Sequence, residues 1–162
     1  MNSPILPENN PGIHDLASLQ SALHHLIPIS KDMGITTESY DGEKLVLTAP
    51  LANNVNHQQS AFGGSLFSLS ALAGWGILQL KLAELDIKAN TVIAGGDVSY
   101  SLPVFETLHC EIKLPENYAG FKDKLVATGK ASISLTTNIL VQGECAMAFN
   151  GKYVVKAIAP NT

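Results

Sequence analysis

Between Gly64 and Leu82 the chain carries no charged residue until Lys81, a run of Leu, Ala, Phe, Trp and Ile broken by small residues. A helix that is apolar on most sides has to be covered on most sides, so this segment dictates what the rest of the chain must provide. A bilayer would be one cover. The run, however, contains Ser65, Ser68, Ser70, Gly74, Gly76 and Gln79, whereas a membrane span needs roughly twenty predominantly apolar residues. The reading is a buried helix in a soluble fold, starting near Gly63 and ending near Asp86, with no membrane involved.

The cover is legible on both sides of it. Ahead of the helix, Asp15 is placed to cap a first helix in which Leu16, Leu19, Leu23 and Leu26 recur at spacings of three and four, stopping before Pro28 and Gly34. Ile35–Tyr40 and Lys44–Ala49 flank Asp41-Gly42, a pair that tolerates positive φ and marks a hairpin. A polar loop from Pro50 to Phe62 follows. Beyond the helix the apolar period becomes two. Val92, Ala94, Gly96, Val98 and Tyr100 are read as one face of a strand closed by Pro103, with Asp97, Ser99 and Ser101 outward. Leu108, Cys110 and Ile112 line a second strand, Leu125, Ala127, Ala131 and Ile133 a third, and Val141, Cys145, Met147 and Phe149 a fourth. The predicted class is α+β, an antiparallel sheet curled around one long helix. Such a sheet keeps exposed edges, and pairing between copies is a common way to cover them.

At 162 residues the chain has the size of a single domain, here residues 14–162 behind a loose tail over 1–13. A formal net charge of −4 argues against nucleic acid and anionic membrane as partners. All ten basic residues are lysine, so no guanidinium fork is available to grip a carboxylate or phosphate. Cys110 and Cys145 form no Cys-x-x-Cys pair and each fits a strand pattern, so both are read as buried reduced thiols, consistent with the cytoplasm. His14, His24, His25 and His109 show no ligand spacing backed by carboxylates. No metal and no cofactor are expected.

The stretch Asn56-His57-Gln58-Gln59-Ser60-Ala61-Phe62-Gly63-Gly64 with Ser65-Leu66-Phe67-Ser68-Leu69 resembles the loop-to-helix signature of hotdog-fold acyl-CoA thioesterases, roughly Asn-x-x-Gly-Thr-x-His-Gly-Gly. Asp97-Val98-Ser99-Tyr100-Ser101-Leu102-Pro103 looks like the strand of that superfamily that ends in Tyr-x-x-Pro. Met33-Gly34-Ile35, Ala49-Pro50-Leu51 and Ala73-Gly74-Trp75-Gly76 further resemble a thioesterase-like domain often fused to bacterial acetyltransferases. The resemblance spans nearly everything from the first helix onward. It implies a hotdog fold, a homodimer or a homotetramer built as a dimer of dimers, and acyl-thioester sites between subunits.

Thioester hydrolysis needs a polarised carbonyl, an activated water and a groove for the acyl chain. The amides of Gly63, Gly64 and Ser65 at the positive end of the helix could hold an oxyanion, and glycine permits close approach; equally, the glycines could serve only the turn into the helix. Asn56 stands where the family pattern has its Asn, able to orient water or bind the thioester carbonyl, while an Asx turn is the ordinary use of Asn in a loop. His57 is a candidate base because imidazole titrates near neutrality. Ser65 and Ser68, one turn apart, are candidate contacts to substrate, or bond back to the preceding turn. Phe62 replaces the family's His, and Ala71, eight positions after Gly63, replaces the acidic residue many members carry on the helix. Phe67 and Trp75 read as core, or as lining of an acyl channel.

Two functions follow from the resemblance: hydrolysis of an acyl-CoA thioester, or a non-catalytic acyl-thioester binding module that has lost the helix carboxylate. Acetyl transfer is discounted because no glycine-rich pyrophosphate loop follows a strand. Hydratase chemistry lacks a matching His and acid.

Overall fold

A computed structural model describes residues 12–159. The expected tail falls, up to residue 11, outside the described residues. Helix α1 (Leu16–Leu26) is capped as its sequence demands, with the Asp15 carboxylate accepting from the Ser18 amide and the Ser18 hydroxyl from the Asp15 amide. A short α2 (Pro28–Asp32) follows with Pro at its first position. Strands β1 (Thr36–Tyr40) and β2 (Lys44–Ala49) form the hairpin, Gly42 taking φ +97°. The apolar helix is α3 (Gly63–Glu84), and behind it come β3 (Ala89–Tyr100), β4 (Leu108–Lys113), α4 (Tyr118–Thr128), β5 (Lys130–Val141) and β6 (Glu144–Ala157).

The six strands make one antiparallel sheet in the order β1-β2-β4-β5-β6-β3. Helix α3 packs against β2 through β6 and touches α1. Its buried residues, among them Leu66, Leu69, Ala73, Gly74, Leu78 and Leu82, cover more than half of the cylinder rather than one narrow stripe. This burial answers the question raised by a helix long and apolar enough to cross a membrane: the sheet supplies the apolar surroundings. Facing it are Leu45, Leu47, Cys110, Ile112, Leu135, Phe149 and Tyr153, all essentially inaccessible.

Four sequence expectations about the strands are corrected. Leu125 and Ala127 belong to α4, not to a strand. Phe121 and Leu125 are its buried residues, one helical turn apart, and Gly129 ends it at φ +72° with its amide on the Leu125 carbonyl at 2.8 Å. The alternation through Ala131 and Ile133 is real but begins only at Lys130. Val141 closes β5 rather than opening the next strand, because Gln142 (φ +50°) and Gly143 (φ +82°) form the turn between β5 and β6.

The other two come from bulges. Between Ile139↔Met147 and Leu140↔Cys145 the register slips by one residue, leaving Ala146 extra. Cys145 is therefore thrown to the opposite side from Met147 and is exposed, while Cys110 is buried as expected. A second bulge at Ala94 shifts β3, so that Ile93 pairs with the core residue Tyr153 and Val92 turns to the outer face, 58% exposed. Phe67, expected in the core, is 37% exposed and rests edge-on against Phe149 with ring centroids 5.0 Å apart. Trp75 is half-buried against the core.

Candidate active site at the start of helix α3

The approach to α3 is held by a loop with few degrees of freedom. The buried Asn54 donates its side-chain amide to the carbonyls of Met33 and Pro50, each at 2.8 Å. Its own carbonyl accepts the Phe62 amide at 2.7 Å, and the Ala61 amide reaches Val104 at 2.8 Å. Between these anchors the chain reverses through Gln59 at φ +62°.

Asn56 organises that reversal. Its side-chain oxygen accepts from the amides of Gln58 (2.9 Å) and Ser60 (3.2 Å), and its nitrogen donates to Ser60 Oγ at 3.0 Å. This is the Asx-turn geometry, in which the carboxamide holds its own loop. His57 stands beside it, exposed. Ser68 bonds back to the Gly64 carbonyl at 2.8 Å, as a hydroxyl inside a helix ordinarily does. Ser65 is half-buried.

The helix start itself leaves donors free. Of the three amides expected there, Ser65 N–H is spent on the Phe62 carbonyl at 3.0 Å, which Leu66 N–H also reaches at 3.1 Å. The Gly63 and Gly64 amides donate to no group among the described residues. No side chain caps this end and no acidic residue lies in the first turn, so two N–H groups and the positive end of a 22-residue helix are open to a ligand's negative charge. The glycines matter sterically. A Cβ at Gly64 would collide with the exposed Phe62 ring, and one at Gly63 would stand 3.4 Å from the Tyr100 ring.

Tyr100, at the end of β3, donates its hydroxyl to the Gly63 carbonyl at 2.8 Å. Together they border a groove of about 330 Å³ whose walls include Ala61, Leu66, Leu102 and Val104. Of the sequence candidates, Gly63 lines this groove; Asn56 and His57 lie on the loop that leads to it. The reading from sequence placed Tyr100 only as a strand residue and missed its part in the groove, although Tyr-x-x-Pro carried the signal. On α3, Ala71 sits a little more than two turns beyond Gly63, its carbonyl accepting the Tyr153 hydroxyl at 2.8 Å. Asp97 is exposed on β3 opposite Asn150. Among the described residues no group of three or more His, Cys, Asp or Glu side chains could hold a metal ion.

A long central helix clasped by an antiparallel sheet, with free amides where a loop delivers a Gly-Gly pair into that helix, is the hotdog fold of thioesterases. Residues 16–157 match the family model YiiD_C, described as "Putative thioesterase (yiiD_Cterm)", and the chain belongs to that family. Solved structures agree. A Chlorobaculum tepidum protein of unknown function shares 36% identity over 86% of this chain and 93% of its own, with a TM-score of 0.81. A Shewanella oneidensis protein described as a "putative thioesterase" shares 28% over 86% and 95%, with a TM-score of 0.79. A Haemophilus influenzae thioesterase at 12% identity, covering 93% and 96% with a TM-score of 0.71, shows the fold alone.

Proposed function

We propose that this protein hydrolyses an acyl-CoA thioester at the N-terminus of α3, in a site completed by a second copy of the chain. The observation that carries this reading is the pair of free amides at Gly63 and Gly64 beside the groove. Water adds to the thioester carbonyl carbon, and the oxygen of that carbonyl takes up negative charge within reach of the two amides. Collapse of the tetrahedral species breaks the C–S bond, and the departing thiolate takes the proton that the water gave up, leaving an acid and a thiol. His57 is the residue we assign to accept and return that proton. Asn56 holds the loop that carries it, and we assign Phe62, Ser65 and Ser68 to contact with the substrate. Coenzyme A is favoured over an acyl carrier protein because an acidic carrier calls for a basic patch, and the sequence around the site offers none.

The dimer is supported by β3, which pairs with β6 on one side and leaves its other edge open. Along it Val92, Ile93 and Tyr100 are 58%, 41% and 55% exposed. Antiparallel pairing with the same strand of a second copy would satisfy the edge and bring the second copy beside Tyr100 and Gly63.

Free-thiol release from short, medium and long acyl-CoA esters tests the proposal, comparing the wild type with Asn56→Ala and His57→Ala. Turnover lost in His57→Ala supports the proton role; turnover lost in Asn56→Ala supports the loop's part. A second reading, a binding module without chemistry, is favoured by Ala71, which stands where the family resemblance puts an acid. Acyl-CoA binding with no thiol release from any ester would establish that reading and sink the first.

A further inference from the structure

We infer that Tyr100 is a positioning residue for thioester hydrolysis, acting through the Gly63–Gly64 peptide; the inference rests on the hydrolytic reading of this helix start. The carbonyl and N–H of one trans peptide unit lie in a single plane and point in opposite directions within it, and the chain has no cis peptide among its described residues. The Gly63 carbonyl and the Gly64 amide belong to the same unit. Tyr100 Oη donates to that carbonyl at 2.8 Å, while the Gly64 amide at the other end of the unit donates to no group among the described residues.

Two consequences follow from a hydrogen bond at that atom. Electron density drawn toward the carbonyl oxygen leaves the N–H more positive, a cooperative strengthening of about 10–30% per bond. The bond also fixes the plane. Two successive glycines at an uncapped helix start have the greatest freedom to rotate, and a donor that turns away from the developing oxyanion contributes little.

The two free donors are secured differently. The peptide carrying the Gly63 N–H has its carbonyl, that of Phe62, fixed by the Ser65 and Leu66 amides. That is a bond set the helix makes for itself. The peptide carrying the Gly64 N–H is tied in addition to β3, across the fold. Tyr100 is well placed to hold it, because it pairs with the buried Met147 and the next two amides, of Ser101 and Leu102, both donate to Ala146 at 2.7 and 3.1 Å. Its ring also packs at 3.4 to 3.5 Å from where a Gly63 Cβ would be. The phenol is thus set by the sheet and spans from sheet to helix.

The test is Tyr100→Phe, which keeps the ring and removes the hydroxyl, with kcat and KM measured on the best acyl-CoA ester and Kd on its non-hydrolysable thioether analogue. The expected result is a fall in kcat of about tenfold, a fraction of the ~10²–10³ lost when an oxyanion donor is itself removed. KM and the thioether Kd stay within about twofold, because the lost interaction matters only where charge develops. Site-specific fluorotyrosine at position 100, assayed where the phenol stays protonated, is expected to raise kcat above wild type through a stronger donor. Unchanged kcat in Tyr100→Phe overturns the inference and leaves the hydrolytic reading intact; so does a fall in kcat matched by an equal loss of thioether binding. No turnover by the wild type overturns the hydrolytic reading, and this inference with it.

Discussion

Tyr153 donates its hydroxyl to the carbonyl of Ala71, 2.8 Å away, in the middle of α3. The contact is made possible by Gly74, where any Cβ would collide with the Tyr153 hydroxyl and ring. Burial pushes the phenol well above its ordinary range, so it remains a donor wherever the protein is folded. Helix and sheet are locked together here at the position where the family resemblance leads one to expect an acid.

Gly74→Ala is expected to destabilise the fold by about 1–3 kcal/mol, since the fully buried Tyr153 side chain has no free volume to move into. Tyr153→Phe is expected to cost about 1 kcal/mol through the lost hydrogen bond. Urea unfolding of the two variants measures both, and a neutral Gly74→Ala would refute the packing argument.

Ala71→Asp places a carboxylate on the helix without touching the backbone carbonyl that Tyr153 holds. The side chain at this position is half-buried rather than sealed in the core. An activity gain of about tenfold or more in kcat is expected, below the ~10²–10⁴ that a fully positioned general acid-base group contributes. Thiol release measures it, and an unchanged rate would mean that Ala71 does not face the reacting carbonyl.

Asn54→Ala removes the donor that satisfies the Met33 and Pro50 carbonyls and that fixes the loop ahead of α3. A stability loss of about 1–3 kcal/mol is expected, chiefly from the buried Met33 carbonyl left without a partner. Loosening of the loop is expected to lower turnover as well. Hydrogen exchange of the Phe62 amide, bonded to the Asn54 carbonyl, should accelerate in the variant relative to amides of β5.

At the far end of α3, Glu84 accepts from Tyr40 Oη at 2.7 Å and pairs with Lys81 Nζ at 2.7 Å, while Lys81 also donates to Gly42 O. Partial burial pushes the Glu84 carboxyl up, but the hydrogen bonds from Lys81 and Tyr40 outweigh it and leave the group below its ordinary value. A carboxyl lowered on folding contributes stability above its unfolded-state value, and that contribution is lost as pH falls through the folded one. Glu84→Gln should therefore flatten the acid limb of the melting-temperature profile and leave its shape above neutrality unchanged. An acid limb as steep as wild type would remove Glu84 from the account.

The two thiols should separate cleanly. Burial pushes the Cys110 thiol far above its ordinary range, whereas Cys145 is exposed beside Asn138. One thiol per chain is expected to react promptly with a disulfide reagent in the native protein and two after unfolding. Prompt reaction of both would contradict the buried position of Cys110. Cys145→Ser would remove the background from a thiol-release assay.

Much of this architecture could be read directly. The Leu spacing and Asp15 cap of α1, the Asp41-Gly42 hairpin, the start of α3 and the strand through Cys110 all follow from local rules, because each is a local periodicity or a turn residue. The errors share one cause. Leu125 and Ala127 alternate as a strand would, while Phe121 and Leu125 repeat as a helix would, and only packing onto β5 chooses between them. The bulges at Ala94 and Ala146 shift the register without any composition signal, so the faces of Val92 and Cys145 were misassigned.

The sequence by itself determined that one apolar helix had to be enclosed, that strands would enclose it, and that a Gly-Gly pair would stand at its start, since all three depend on residues adjacent in the chain. What holds those amides in place was decided in part by tertiary structure: Phe62 takes up Ser65 and Asn56 holds its own loop locally, but Tyr100 arrives from 37 residues away to hold the Gly63 carbonyl. Hydrogen bonds between residues so distant in sequence depend on where the sheet's twist and bulges bring each strand end, and no local pattern encodes that.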